Sequence, residues 1–188
     1  DVCSSDLISW YRTLGKAQYE WMRETLQHST SKYKFIFIHN LVGGVDDHGI
    51  ARGGAEAAGF YEWGGSDSNG IRTFEQNRPD FYKDIATVFK ESGVTVVFHG
   101  HDHFFAKQEK DGLVYQLVPQ PGGTKYKTTN FKPEYGYAEG VLFSAPGYMR
   151  VTISSKSARI QFVQTGDGRD RSHHPLRSNE TDEFFDRR

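Results

Sequence analysis

Val96-Val97-Phe98-His99-Gly100-His101-Asp102-His103-Phe104-Phe105 is the stretch on which the reading of this chain turns. Val94, Val96 and Val97 are β-branched and Phe98 is aromatic, so Val94–Phe98 reads as a short buried strand. Gly100 is expected to let the backbone bend where that strand stops. His101 and His103 are two apart, and in extended chain both side chains leave on one face. Ligands of open α/β sheets sit beyond the carboxyl ends of the strands. Two imidazoles on one side of a bend make a natural metal-binding pair. Histidines at a strand end can equally be surface hydrogen-bonding groups. What favours a shared site is a second strand that ends the same way.

That second strand is Phe35-Ile36-Phe37-Ile38, an unbroken apolar run followed at once by His39-Asn40. Apolar on both faces, it predicts a central strand of a covered, largely parallel sheet. A helix is expected before each strand. Leu14–Gln27 has Gln18, Trp21, Met22, Thr25 and Leu26 along one face at helical spacing, a stripe expected to face the core. Asn77 can cap a second helix with Pro79 in its first turn, followed by Phe81, Ile85, Val88 and Phe89 and closed by Gly93. Helix–strand–loop–helix–strand is the order of α/β units. If the two strands are parallel neighbours, His39, His101 and His103 meet on one rim.

Leu41–Asn77 is long for a connection, with nine glycines between Gly43 and Gly70. No Gly-Lys-Ser/Thr follows the paired glycines, which excludes a nucleotide-binding P-loop. Asp46, Asp47, His48, Arg52, Glu62 and Trp63 are candidate substrate contacts, His48 and Arg52 foremost; ordinary loop chemistry is the competing reading. After the histidine cluster the chain turns to strands, at Phe104–Lys107, Leu113–Val118, Tyr148–Ile153 and Arg159–Gln164. Asp111-Gly112 and Ser155–Ser157 read as hairpin turns. Gly166–Arg188 is charged and weakly apolar and is expected to be a mobile tail, with His173 and His174 solvated. Asn179-Glu180-Thr181 fits a glycosylation acceptor only in a eukaryotic secretory setting.

A length of 188 residues suits one domain or a large part of one. Basic and acidic side chains number 23 and 24, a balance that argues against a general nucleic-acid binder, which needs a basic face. No apolar run is long enough to span a membrane. The single cysteine, Cys3, allows neither an internal disulfide nor a thiolate zinc cluster. The opening seven residues, Asp-Val-Cys-Ser-Ser-Asp-Leu, read as the translation of a sequencing adaptor. On that reading 1–7 are excluded from the fold, the natural chain continues from near Ile8, and Cys3 is not native.

With these pieces assembled, the pattern resembles the calcineurin-like metallophosphoesterases. Gly100-His101-Asp102-His103 is similar to the family's last block, Gly-His-x-His. Ile36-Phe37-Ile38-His39 is similar to the block before it, and Gln18-x-x-Trp21-Met22-x-x-x-Leu26 resembles the helix that often precedes that block. The likeness covers roughly Lys16–Gln108. More loosely, Tyr61-Glu62-Trp63-Gly64 and Val118-Pro119-Gln120-Pro121 resemble bacterial members.

The resemblance implies an α/β fold with a mixed sheet, forming the C-terminal half of a four-layer αββα sandwich over residues 8–165. It implies two divalent or trivalent metal ions, with Fe, Mn and Zn all compatible. His39 and His101 would bind one ion and His103 the other. Asp102, between the paired ligands, could accept a hydrogen bond from one of them or face water; His99 has no family role and reads as a strand-end hydrogen-bonding group. The substrate class implied is a phosphomonoester or phosphodiester. Two cations about 3.5–4 Å apart neutralise the phosphoryl oxygens and lower the pKa of bound water. The family's Asp-x-His, Gly-Asp and Gly-Asn-His blocks, which carry the bridging carboxylate and the catalytic histidine, are not found in these 188 residues. The catalytic groups are therefore expected outside them, and this chain alone is expected to be inactive. Export is an expectation from the resemblance only. The alternative is a non-catalytic metal- or ligand-binding module, and a weaker one is a carbohydrate-binding β domain.

Overall fold

The computed structural model describes residues 10–41, 53–122, 136–165 and 180–185. His48, Arg52, Asp46, Asp47, His173, His174, Asn179 and residues 1–7 lie outside them. Helix α1 spans Lys16–His28 and leads into strand β1, Phe35–Phe37. A 3-10 helix, Ala55–Gly59, precedes the short helices α2, Tyr61–Gly64, and α3, Phe74–Asn77. Helix α4, Ile85–Glu91, runs into β2, Val96–His99. The remaining strands are β3, Phe105–Lys110; β4, Leu113–Leu117; β5, Val141–Phe143; β6, Gly147–Ile153; β7, Ala158–Gln164; and β8, Glu180–Phe185.

A five-stranded sheet is ordered β1-β2-β4-β3-β5, and a three-stranded sheet β6-β7-β8. The larger sheet is mixed, since β1–β2 and β2–β4 are parallel while β4–β3 and β3–β5 are antiparallel. Alternation along β2 sends its side chains to two cores. Val97 joins Tyr19, Met22 and Leu26 of α1, Trp63 of α2, and Ile85, Val88 and Phe89 of α4 on the helical side. Val96 and Phe98 pack instead with Ile160 and Met149 of the smaller sheet. Phe105 and Phe162 stack at 4.6 Å between the two sheets. The layers are thus helix, sheet, sheet.

Several local readings hold and several shift. Asp111 and Gly112 both take left-handed backbone (φ 51° and 80°) at the β3–β4 hairpin, as a tight turn of two such residues requires. The β6–β7 hairpin closes at Ser154–Ser157, where Ser157 N–H donates to Ser154 Oγ. Gly93 (φ 68°) ends α4, with Gly93 N–H donating to Lys90 O and Val94 N–H to Phe89 O. The cap of α4 is Asp84, not Asn77: its carboxylate accepts from Thr87 N–H, and Asn77 ends the separate helix α3. The signal was there in Asp84-x-x-Thr87, but Pro79 drew the boundary too early.

Two further corrections share one place. Among the described strands β1 lies at the sheet edge, not in its centre, and Phe37 is 75% exposed. Trp21 of α1 is 65% exposed, while Tyr19, Met22 and Leu26 form the buried stripe. An apolar groove of about 330 Å³ lies between Trp21, Thr25 and Leu14 on the helix side and Phe35–Ile38 on the strand. Both sequence patterns are those of a covered surface, and among the described residues nothing covers it. Within the stretch expected as a mobile tail, Glu180–Phe185 pairs antiparallel with β7, whose edge amides and carbonyls it satisfies.

Candidate metal-binding rim

Because β1, β2 and β4 run parallel, their carboxyl ends share one rim. Backbone hydrogen bonds continue past the strand ends. Ile38 N–H donates to Phe98 O (3.0 Å), Gly100 N–H to His39 O (2.9 Å), Val118 N–H to His99 O (2.7 Å) and Gln120 N–H to His103 O (3.3 Å). The three post-strand segments are therefore stitched to one another, which fixes where their side chains begin.

Sixty-odd residues apart in sequence, His39 and His101 meet here, their ring centroids 5.5 Å apart and their planes at 84°. His39 is exposed, whereas His101 and His103 are half-buried. With metal–nitrogen distances near 2.0–2.1 Å, two imidazoles at a roughly tetrahedral angle place their centroids about 5 Å apart. The pair thus has the spacing that one shared ion needs. Among the described residues, no three His, Cys, Asp or Glu side chains are grouped to hold an ion by themselves. His103 shares the loop with His101 but does not complete such a set.

Gly100 acts differently from the expectation. It is not among the glycines with positive φ; the left-handed positions are His101 (φ 82°) and His103 (φ 64°). The loop is therefore not extended, and the same-face argument for His101 and His103 does not apply. Such backbone costs a non-glycine residue roughly 1–3 kcal/mol, though histidine tolerates it better than most. What Gly100 supplies is clearance: a Cβ there would lie 3.2 Å from His39 Nδ1. A side chain at this position would press on that ring by a few tenths of an ångström.

Asp102, between the two strained histidines, does not simply face water. Its Oδ2 accepts a hydrogen bond from Tyr137 Oη at 2.7 Å. Tyr137 is 4% exposed and its ring meets Phe104 edge-on at 4.8 Å. The segment bearing Tyr137 is itself anchored by buried Gln108, whose Nε2 donates to Gly136 O, Glu139 O and Glu56 Oε2, and whose Oε1 accepts from Ala55 N–H. Sequence reading missed Tyr137 and Gln108. Tyr137 falls in a Gly/Lys/Tyr-rich connection without periodicity, and Gln108 is a polar residue in an otherwise ordinary strand.

His99 is buried beside the rim, and among the described residues its Nε2 has no hydrogen-bond partner. Burial pushes its pKa down to about 3, so the ring is neutral. Glu62 and Trp63, candidate substrate contacts in sequence, are structural. Glu62 is fully buried, accepting from Arg78 Nε and from Leu14 N–H, while Trp63 Nε1 donates to Tyr115 Oη. Arg78 also donates to the carbonyls of Trp10 and Asn77, so this ion pair pins the segment before α1 to α2 and α3.

The molecule is a mixed α/β protein with histidines gathered at the carboxyl rim of its parallel strands. Comparison with protein-family models and with curated proteins found no match.

Proposed function

We propose that this chain carries the imidazole half of a dinuclear metallophosphoesterase site, acting on phosphomonoesters or phosphodiesters. The observation that carries the reading is the perpendicular His39–His101 pair, 5.5 Å apart on a rim shared by parallel strands. His39 and His101 would hold one ion and His103 the other; Fe, Mn and Zn all suit such ligands. When bound, the ions would neutralise phosphoryl oxygens and supply a hydroxide nucleophile near neutral pH. Neutral imidazoles suit that task because they bind a cation without cancelling its charge.

The carboxylate ligands and the catalytic histidine would come from polypeptide outside these 188 residues. The open edge of β1, with Phe37 and Trp21 exposed around it, is the surface on which such strands would pair. Helix, sheet and sheet would then be three layers of an αββα sandwich, the fourth arriving with that polypeptide.

The test begins with the genomic sequence upstream of the codon for Ile8. An open reading frame that supplies Asp-x-His and Asn-His blocks, expressed as one protein, should hydrolyse an aryl phosphate in a metal-dependent way. His101→Ala should abolish that activity. A start codon near Ile8 overturns the reading in favour of a non-catalytic metal- or ligand-binding module, and hydrolysis indifferent to His101→Ala overturns the assignment of His101 to the metal site.

A further inference from the structure

We infer that Tyr137 is a positioning residue for the rim, holding the His101-Asp102-His103 turn through its hydrogen bond to Asp102; as a statement about metal binding this rests on the reading above. Tyr137 lies outside every motif that points to the site. The turn it grips has left-handed backbone on both sides of Asp102, at His101 and His103. A turn of that kind relaxes unless something outside it over-determines its shape. Among the described residues, two contacts act as such tethers. Gln120 N–H holds the carbonyl of His103 at 3.3 Å, and Tyr137 Oη holds the Asp102 carboxylate at 2.7 Å.

The second tether is the stiffer. A phenol donating to a carboxylate forms a short, charge-assisted bond. The phenol is buried, so water cannot readily take its place. Its ring is fixed by Phe104, and any Cβ on Gly54 would lie 2.7 Å from it, a mark of close packing. Behind it, Gln108 pins the backbone carbonyls of Gly136 and Glu139. A rigid path thus runs from the interior of β3 to the carboxylate between the two histidines. Orientation of ligands by outer hydrogen bonds of this kind changes metal affinity by about 10–100-fold.

Tyr137→Phe removes the hydroxyl and keeps the ring. In the metal-free chain, exchange of the Gln120 amide, which reports the position of His103, should quicken about tenfold or more. Exchange of the Val118 amide, bonded to the strand end at His99, should hold. Zinc titrated to millimolar concentration should bind the variant about 10–100-fold more weakly than the parent. Unchanged Gln120 exchange in a folded variant overturns the inference. Faster exchange with equal zinc affinity leaves Tyr137 holding the turn but overturns its role in positioning a metal ligand. A parent chain that binds no zinc at His101 refutes the metal reading instead, and the Gln120 exchange result still decides whether Tyr137 holds the turn.

Discussion

Gly100→Ala separates the site from the fold. The new Cβ would stand 3.2 Å from His39 Nδ1, and 3.6 Å from both His39 Cε1 and His39 O. The last two are ordinary contacts, so only the ring nitrogen is crowded, and only by a few tenths of an ångström. Because φ at Gly100 is not positive, alanine brings no left-handed strain. His39 is exposed, so its ring can swing outward at little cost. Restricting the unfolded chain stabilises by about 0.4–1 kcal/mol. Mild crowding offsets that by a similar amount, at the low end of the roughly 1–3 kcal/mol for overpacking. Net stability should therefore change by less than about 1 kcal/mol in urea denaturation. The His39–His101 pairing should loosen: the cross-peak between their ring protons should weaken, and affinity for zinc should fall. An undisturbed cross-peak in a folded variant would refute the clearance argument. A loss above about 2 kcal/mol would show that the backbone, not the ring, needs the glycine.

Three further outcomes follow from the same structure. His99 titrates near 3 when folded against 6.5 when free, so below 6.5 the unfolded chain binds the extra proton and stability falls with pH. In chelator, His99→Leu should gain about 2 kcal/mol on the parent between pH 7.5 and pH 5, and parallel pH profiles would contradict this. Arg78→Met strands the buried carboxylate of Glu62 and should cost about 3–5 kcal/mol in chemical denaturation; a loss under about 1 kcal/mol would mean the pair is not buried in solution. The chain alone should not turn over an aryl phosphate with Fe, Mn or Zn, and robust hydrolysis abolished by His101→Ala would contradict the division of ligands proposed here.

The strands near the rim were legible because short unbroken apolar runs of β-branched and aromatic residues ending in histidine leave few alternatives. Parallel pairing of β1 with β2 then follows from the intervening helix, and it brings His39 beside His101. The hairpin at Asp111-Gly112 was legible because only such residues take φ > 0 cheaply. The turn at His101 and His103 was not, because nothing in a Gly-His-x-His string says that the histidines, rather than the glycine, take the left-handed positions. Nor was Tyr137, whose partner is 35 residues away and held by tertiary packing alone. Trp21 and Phe37 teach something else. Their patterns read as buried, and both residues are exposed on the open side of β1. Hydrophobic periodicity reports what a segment is built to pack against, whether or not that partner is among the residues in hand.

The gathering of imidazoles on one rim is tested most directly by following every histidine ring in the ¹⁵N-edited NMR spectrum while Co²⁺ is added. Rings 39, 101 and 103 should respond together and saturate, ahead of His28 on the far end of α1. A response ordered only by exposure, or one that moves His101 while His39 stays still, would contradict it.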